Sequence, residues 1–214
     1  MVQEVREIDG VVTTLCHGSA DDQQAVLNEY FVPDAYFVHP LCRVPSFSNM
    51  TLPFGGKLES RTFVRFIYEW YRILSPKIQI AINSKVFDQQ HNLLYLTIHQ
   101  VFTLWFVPFG LWQAKVKLVT VLELVYLPVD EDGQLSDDGT VIPPDDKRTR
   151  YRYFIRGQED NYQMTEWLKF IAPWGGHILW YAGQLVSTLI CSFCAMLFWP
   201  LTFLGPNGLK RSKH

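Results

Sequence analysis

Residues 93–127 read LLYLTIHQVFTLWFVPFGLWQAKVKLVTVLELVYL, and this stretch decides the fold that the sequence predicts. Apolar and polar residues alternate in two runs, 93–106 and 113–127, which is the period of a β-strand with one buried face. Between the runs, the segment VPFG contains the proline and glycine that favour a turn. The sequence therefore predicts a long antiparallel hairpin with its tip at 108–111.

The hairpin also predicts a register between the two strands. We expect the numbers of paired residues to sum to about 220, which gives an inner face that is apolar apart from one amide and one hydroxyl. The predicted pairs are Phe102 with Leu118, Gln100 with Thr120, Ile98 with Leu122 and Leu96 with Leu124. The outer face is expected to carry the polar residues His99, Lys115, Lys117 and Glu123.

Two further alternating runs, 77–87 and 150–159, extend the predicted sheet. One side of each run is expected to face the core and the other to face water. The expected inner residues are Ile78, Ile80, Ile82, Ser84, Val86, Tyr151, Tyr153 and Ile155, and the expected outer residues are Lys85, Arg152 and Arg156.

The segments before these strands predict helices and one short strand. Residues 1–30 favour two helices, with Ser19 as the N-cap of the second, and residues 60–74 favour a strongly amphipathic helix. The segment DAYFVHP (34–40) favours a strand. This order predicts an α+β fold with helices on one face of a curved antiparallel sheet.

Length and composition limit the domain count and the class of partner. The chain has 214 residues, of which 48% are hydrophobic, which suits one domain with a sizeable core. A net charge of −2 without a basic face excludes a nucleic-acid partner. Because residues 1–10 lack the apolar run of a signal peptide, we expect the four cysteines to be free thiols in a reducing compartment.

Residues 178–204 contain no charged side chain. The first 22 or so residues of this run, as a helix, would extend about 33 Å, enough to cross a hydrocarbon core of about 30 Å. The sequence therefore predicts an α+β domain, residues 1–172, and a C-terminal membrane segment, 173–214, with a short basic tail. A buried core helix is the alternative for the same run.

Aromatic residues at the hairpin tip and around the apolar run are expected to contact lipid. The strand directions place the tip at the end of the domain from which the chain enters the membrane segment, where exposed aromatic rings suit an interface. A tip covered by the protein's own helices is the alternative. The expected lipid contacts are Trp105, Phe106, Phe109, Trp112, Trp174, Trp180 and Trp199.

Two topologies of the apolar run stay open. A tail anchor would carry the basic tail with Lys210, Arg211 and Lys213 across the membrane, whereas a re-entrant segment would keep both ends in the cytosol. We expect the domain to face the cytosol at the endoplasmic reticulum or a lipid droplet, on a lipid bilayer or monolayer.

Several local stretches resemble one protein family. VREIDGVV (5–12), YFVPDAYFVHPLCRVPSF (30–47), WYRILSPKI (70–78) and VKLVTVLELV (116–125) look like the nuclear-transport-factor-2-like superfamily, and most closely its fungal SigF-like branch. The resemblance covers about residues 1–172, and the hydrophobic C-terminal extension also matches. It implies a cone-shaped α+β barrel with an open mouth, used by different members for binding or catalysis, and often dimeric through the outer sheet face.

The segment DAYFVHP also resembles the strand of ketosteroid isomerases that ends in Asp-Pro, where the aspartate is the general base. His39, directly before Pro40, is therefore the candidate catalytic residue, since imidazole exchanges protons near neutral pH. Those enzymes also use a tyrosine and a protonated acid as an oxyanion hole. In place of that acid, the predicted interior offers only Gln100 and Thr120. This favours His39 as a hydrogen-bonded residue at the end of the strand, at the mouth of the cone, over His39 as a catalytic base.

The predicted interior has the composition of an apolar-ligand pocket. Our first hypothesis is a membrane-anchored domain that binds a sterol, a fatty acyl chain or another lipid without catalysis. The second is a membrane-associated isomerase, dehydratase or cyclase with His39 as general acid or base, and the third is a structural adaptor at a membrane. No metal or cofactor is expected. The expected ligand-binding residues are Tyr36, Phe37, Tyr71, Ile80, Ile82, Ile98, Gln100, Phe102, Thr120, Leu122 and Tyr153.

Overall fold

The structure is a computed structural model that describes residues 3–48, 50–51, 57–108, 111–130, 134–135 and 150–198. The described helices are α1 (Gln3–His17), α2 (Ala20–Tyr30), α3 (Ser60–Leu74), α4 (Met164–Ile171) and α5 (Gly176–Leu197). The described strands are β1 (Phe31–His39), β2 (Cys42–Val44), β3 (Met50–Thr51), β4 (Lys57–Leu58), β5 (Gln79–Asp88), β6 (Leu93–Thr103), β7 (Gln113–Val129) and β8 (Arg150–Tyr162). The predicted α+β class is confirmed.

One curved sheet of six strands organises the domain. Its strand order is β2-β1-β8-β7-β6-β5, and β3 pairs with β4 separately. The pairs are antiparallel except for β1 and β8, which run parallel, so both strands end on the side where the tip of the β6–β7 hairpin lies. The residues that end β1 and β8 therefore meet near that tip.

The helices α1, α2 and α3 cover the inner face of the sheet. Ser19 caps α2 as predicted, because its hydroxyl accepts the N–H of Asp22 and the Asp22 carboxylate accepts the N–H of Ser19. Leu15, Leu27 and Val64 bury their side chains against the sheet. Full burial of a leucine contributes about 1.5–3 kcal/mol, so this packing holds the helices in place.

The predicted faces of the hairpin are confirmed, but the predicted register is wrong. Each partner lies four residues earlier on β7, because the loop joins Thr103 to Gln113 and is centred on Pro108. A shift by an even number of residues leaves every side chain on its own face, so alternation could not reveal it. The observed pairs are Leu96 with Thr120, Ile98 with Leu118, Gln100 with Val116 and Phe102 with Ala114.

A bulge in β5 overturns part of the predicted inner face. The register shifts between Ile82 and Ser84, so the side chains beyond this point change sides. Ser84 and Val86, predicted to be inside, are exposed, whereas Phe87 packs against the core.

A second irregularity lies where β8 pairs with β7. The register shifts opposite Glu123 and Leu124, and the adjacent residues Phe154 and Ile155 are both buried. Arg152 was predicted to lie outside but is held against the domain, 4.6 Å from the Tyr30 ring centroid.

The C-terminal helix α5 has a different environment from the rest of the fold. It is 22 residues long with a mean hydropathy of 1.5 over its most apolar window, and its side chains from Ile178 to Leu197 are exposed. Among the described residues it is the one helix that is long and apolar enough to cross a membrane. Phe109, Trp199 and the basic tail, all of which entered the predictions, lie outside the described residues.

Candidate functional site

A cavity of about 720 Å³ lies between the inner face of the sheet and helices α1, α3 and α4. This volume falls within the range of about 300–1,000 Å³ that is typical of small-molecule sites. Most of the lining is aliphatic or aromatic. Eight of the predicted ligand-binding residues line it: Phe37, Tyr71, Ile80, Ile98, Gln100, Phe102, Thr120 and Leu122.

The other three predicted ligand-binding residues lie outside the lining. Tyr36 is on the outer face, where its hydroxyl donates to Glu123 Oε2 at 2.8 Å and its ring lies against Gly157. Ile82 and Tyr153 pack against the core beside the cavity. Strand alternation explains the position of Tyr36, because Phe37 and His39 take the inner face of β1.

Deep in the cavity, four polar residues form a hydrogen-bonded chain that we call the Asp160 cluster: Tyr68, Thr120, Gln158 and Asp160. The Tyr68 hydroxyl donates to Gln158 Oε1 at 2.7 Å, and Gln158 Nε2 donates to Asp160 Oδ1 at 3.1 Å. Thr120 Oγ1 donates to the same oxygen at 2.7 Å. The cluster thus joins α3, β7 and β8 through one carboxyl group.

Burial sets the protonation of the cluster. It raises the pKa of Asp160 from 3.8 to about 6, against the hydrogen bonds from Thr120 and Gln158, which favour the charged form. Asp160 keeps some accessible surface because it faces the cavity. Burial also raises the pKa of Tyr68 well above its ordinary value, so this hydroxyl stays protonated as a donor.

A second set of three hydrogen-bonded polar residues also lines the cavity. Gln100 Nε2 donates to the Tyr71 hydroxyl, and Tyr71 is in turn hydrogen-bonded to Tyr162. Burial raises the pKa of both tyrosines, and it raises the pKa of the Cys16 thiol to about 12. These groups are therefore neutral over the physiological pH range.

His39 lines the cavity at the end of β1. Its Nδ1 accepts the N–H of Leu41 at 3.2 Å, and its ring lies 5.3 Å from the Tyr162 ring centroid. The Nε2 atom is buried without a hydrogen-bond partner among the described residues. Burial lowers the pKa of His39 to about 4, so the imidazole is neutral at pH 7. Asp34 accepts from Ser46 Oγ and does not line the cavity.

The prediction that the interior offers no acid was wrong. The predicted strand ended at residue 159, whereas β8 continues to Tyr162 and brings Asp160 into the cavity. Alternation from the predicted inner residues Tyr153 and Ile155 would have placed Glu159 inside and Asp160 outside, and the register shift between Ile155 and Gly157 reverses this. Tyr68 gave no signal in the sequence either, because an aromatic residue on an amphipathic helix is ordinarily part of a core.

The predicted lipid-contact residues cluster near the start of α5. Trp105 and Phe106 at the hairpin tip are exposed, as is Trp180 on α5. The Trp112 and Trp174 ring centroids lie 4.8 Å apart. The Trp174 indole also donates to the carbonyl of Leu111 at 2.9 Å, which ties the tip to the segment that enters α5.

The sequence profile of the SigF NTF2-like domain matches residues 1–136. The chain belongs to the SigF NTF2-like domain family. The predicted superfamily is thereby confirmed. No curated protein sequence shows a significant match to this chain.

Several solved structures are similar to this SigF NTF2-like protein at low sequence identity. A protein with a ketosteroid isomerase-like fold from Catenulispora acidiphila, solved with trimethylamine, is 9% identical over 78% of this chain and 90% of that one, with a TM-score of 0.43. SalBIII, an epoxide hydrolase/cyclase-like enzyme of pyran ring formation in salinomycin, is 13% identical over 77% and 94%, with a TM-score of 0.45.

A third structure is a SnoaL-like protein from Shewanella putrefaciens that is described as a polyketide cyclase. It is 12% identical over 80% of this chain and 87% of that one, with a TM-score of 0.43. The functions in these names belong to those proteins, since one fold supports both ligand binding and catalysis.

Proposed function

We propose that this SigF NTF2-like protein is membrane-anchored through α5 and binds an apolar small molecule with one neutral polar group, such as a sterol or a fatty alcohol, in its cavity. The observation that carries the proposal is an apolar cavity of about 720 Å³ with one carboxyl group, Asp160, at its depth. The apolar lining would hold the body of the ligand, and the Asp160 cluster would hold its polar group.

The charges around the cavity favour a neutral polar group. At pH 7 the pKa of about 6 leaves Asp160 mostly ionised, and it is the one acidic residue among the described residues of the lining. The other titratable groups near it are neutral at this pH, because burial raises the pKa values of the cysteines and tyrosines and lowers that of the histidine. These groups are Cys16, His39, Cys42, Tyr68, Tyr71 and Tyr162.

An ionised carboxylate attracts a hydroxyl donor and repels a second carboxylate. Arg43 is exposed at the rim, so it cannot neutralise a fatty acid head group held at Asp160. We therefore expect a ligand hydroxyl to donate to Asp160 while the Tyr68 hydroxyl is held by Gln158. Sterols and fatty alcohols fit this arrangement better than free fatty acids at neutral pH.

The test uses the full chain in a mild detergent. Mass spectrometry of co-purified lipids identifies the natural occupant, and titration with dehydroergosterol and with an anthroyloxy-labelled fatty acid compares the two classes. We expect dehydroergosterol to bind at pH 7 and the fatty acid to bind more tightly at pH 5 than at pH 7, because Asp160 is then protonated. Absence of lipid and of binding by both probes would refute the proposal.

Matched variants separate the cavity from the outer face. Asp160→Asn removes the charge inside the cavity and should reduce the pH dependence of fatty acid binding to that of the fatty acid's own carboxyl group. Glu159→Gln changes the neighbouring residue, which does not line the cavity, and should leave both probes unaffected. Equal behaviour of the two variants would show that the probes bind elsewhere.

Acid–base catalysis of an isomerisation or cyclisation is a second candidate function. The pKa of about 6 favours it, because an efficient general base has a pKa near the operating pH. Asp160 would then be the base, since His39, with a pKa of about 4, is a weak one. Incubation of lipid extracts with the protein in D₂O tests this reaction. Deuterium incorporation or a new isomer that needs Asp160 would support it, and the absence of both would count against it.

We also propose that the domain faces the cytosol at the endoplasmic reticulum or a lipid droplet. Support for the attachment to a membrane comes from the exposed, charge-free surface of α5, which follows the domain directly. Digestion of the domain by protease added to sealed microsomes is the expected result, and protection of the domain would contradict it.

A further inference from the structure

An apolar strip runs along the solvent side of α3. Phe63, Phe66, Trp70 and Ile73 are spaced three or four residues apart, so they share one helix face, and all four are exposed. Phe63, Phe66 and Trp70 also line the cavity, as does the exposed Leu41 after β1. These four lining residues therefore form a rim where the cavity opens to the outside.

The rim continues into the hairpin tip and from there to α5. The N–H of Trp105 donates to the carbonyl of Leu74 at the end of α3, at 3.2 Å. On the other side of the tip, the Trp174 indole donates to the carbonyl of Leu111. The α3 strip, the tip and the start of α5 thus form one continuous apolar surface, which a water-soluble domain ordinarily covers.

The charges at this end of the domain suit an anionic lipid surface. Lys77 follows α3, and Lys115 and Lys117 lie at the start of β7 near the tip, all three exposed. The opposite end of the sheet carries Asp88 at the end of β5 and Asp130 after β7, together with Arg150 at the start of β8. Such an asymmetry favours an orientation with the rim toward anionic headgroups.

We propose that the rim of the cavity docks on the lipid surface that α5 enters, so that the ligand passes between membrane and cavity through this mouth without crossing water. The inference rests on the proposed function, both for the membrane anchor α5 and for the ligand. The apolar strip on α3 is continuous with the start of α5. A membrane that α5 enters would therefore also reach the strip, which favours lipid over a second copy of the chain as its partner.

Two variants test the docking, one at Ile73 on the α3 strip and a control at Val86, which has similar exposure away from it. Ile73 lies on the α3 strip but does not line the cavity, and it is 57% exposed. Val86 is a β-branched residue of similar exposure, 61%, on the strand β5 toward its distal end. Glutamate at Ile73 would place a charge in the docked surface, whereas glutamate at Val86 would remain in water.

The full chain is reconstituted in vesicles of phosphatidylcholine and phosphatidylserine. All seven tryptophans contribute to the quenching of fluorescence by brominated phosphatidylcholine, so the difference in quenched fraction between variants that keep all seven reports docking of the rim. The transfer of dehydroergosterol from the vesicles reports loading. We expect Ile73→Glu to reduce the quenched fraction and to slow loading roughly tenfold, because it removes the burial of one apolar side chain in lipid. Val86→Glu should match the wild type.

Affinity for dehydroergosterol in detergent micelles is measured separately, and Ile73→Glu should retain it. If the wild type does not bind dehydroergosterol in micelles, the proposed function is contradicted. Equal quenching in the two variants would instead overturn the docking surface. A dimer that forms with increasing concentration in micelles and is abolished by Ile73→Glu would also overturn it, because the strip would then contact a second copy.

Discussion

The exchange Asp160→Asn should stabilise the domain, and more at neutral than at acidic pH. The carboxyl group has a pKa of about 6 in the folded protein against 3.8 ordinarily, so the folded state binds the proton more tightly than the unfolded chain. Tighter proton binding by the folded state adds to the free energy of unfolding below pH 3.8, and this contribution is lost as the pH rises through about 6. Asparagine keeps the oxygen that accepts from Thr120 and Gln158 and carries no charge.

The size of the effect follows from the pKa shift. The rise of the pKa from 3.8 to about 6 corresponds to about 3 kcal/mol at pH 7.5, and to about 1 kcal/mol at pH 4.5, which exceeds the unfolded pKa by less than one pH unit. Water that enters the cavity would solvate the carboxylate, so these are upper values. For a chain of this length, about 3 kcal/mol corresponds to a rise in Tm of roughly 6–12 °C.

Thermal unfolding followed by circular dichroism at pH 4.5 and pH 7.5, in one detergent, measures this effect. Subtracting the wild-type Tm at each pH removes the contribution of the groups that the two chains share, including His39. Glu159→Gln is the control, since it removes a carboxylate from the neighbouring position outside the cavity. An Asp160→Asn variant whose Tm difference from the wild type is the same at both pH values would refute the reasoning.

Three further perturbations address other parts of the molecule. Gly157→Ala should cost about 1–3 kcal/mol, because its methyl group would lie 2.0 Å from the Tyr36 ring; an unchanged Tm would contradict this contact. In the wild type, burial lowers the pKa of His39 from 6.5 to about 4, so the unfolded chain gains a proton first and stability falls as the pH decreases from 6.5 to 4. His39→Phe should remove this part of the pH dependence, and parallel profiles of stability against pH for the two proteins would argue against burial. A double change of Leu185 and Leu189 on α5 to arginine should release the protein from membranes in alkaline carbonate, because each charge costs at least about 2.5 kcal/mol in a bilayer core, and retention would exclude α5 as the anchor.

Local patterns predicted the strands and their faces well. The period of two in β6 and β7 placed Gln100 and Thr120 inside, and both are buried. The pairing itself could not be read from this pattern, because a shift of four residues preserves every face. The bulge at Asn83 was equally invisible, since a bulge is a property of two paired strands and not of one.

The candidate site likewise has a part that the sequence predicts and a part that it does not. The apolar lining was largely predictable, because burial of one face selects Ile, Leu and Phe at alternate positions. The Asp160 cluster was not, because Tyr68 comes from α3, Thr120 from β7 and Gln158 from β8, and only folding brings them within hydrogen-bond distance. A local motif indicated His39 as a candidate catalytic residue. Its low pKa results from burial, which a local motif cannot predict.

Sequence by itself determined the α+β class, the family, the faces of the main strands and the long apolar helix at the end of the chain, because each depends on composition, periodicity or local motif. Tertiary structure alone decided the register, the inward position of Asp160 and the raised pKa of its carboxyl group. The physical reason is that pairing, burial and desolvation depend on which distant residues surround a side chain, and the chain acquires those neighbours only when it folds.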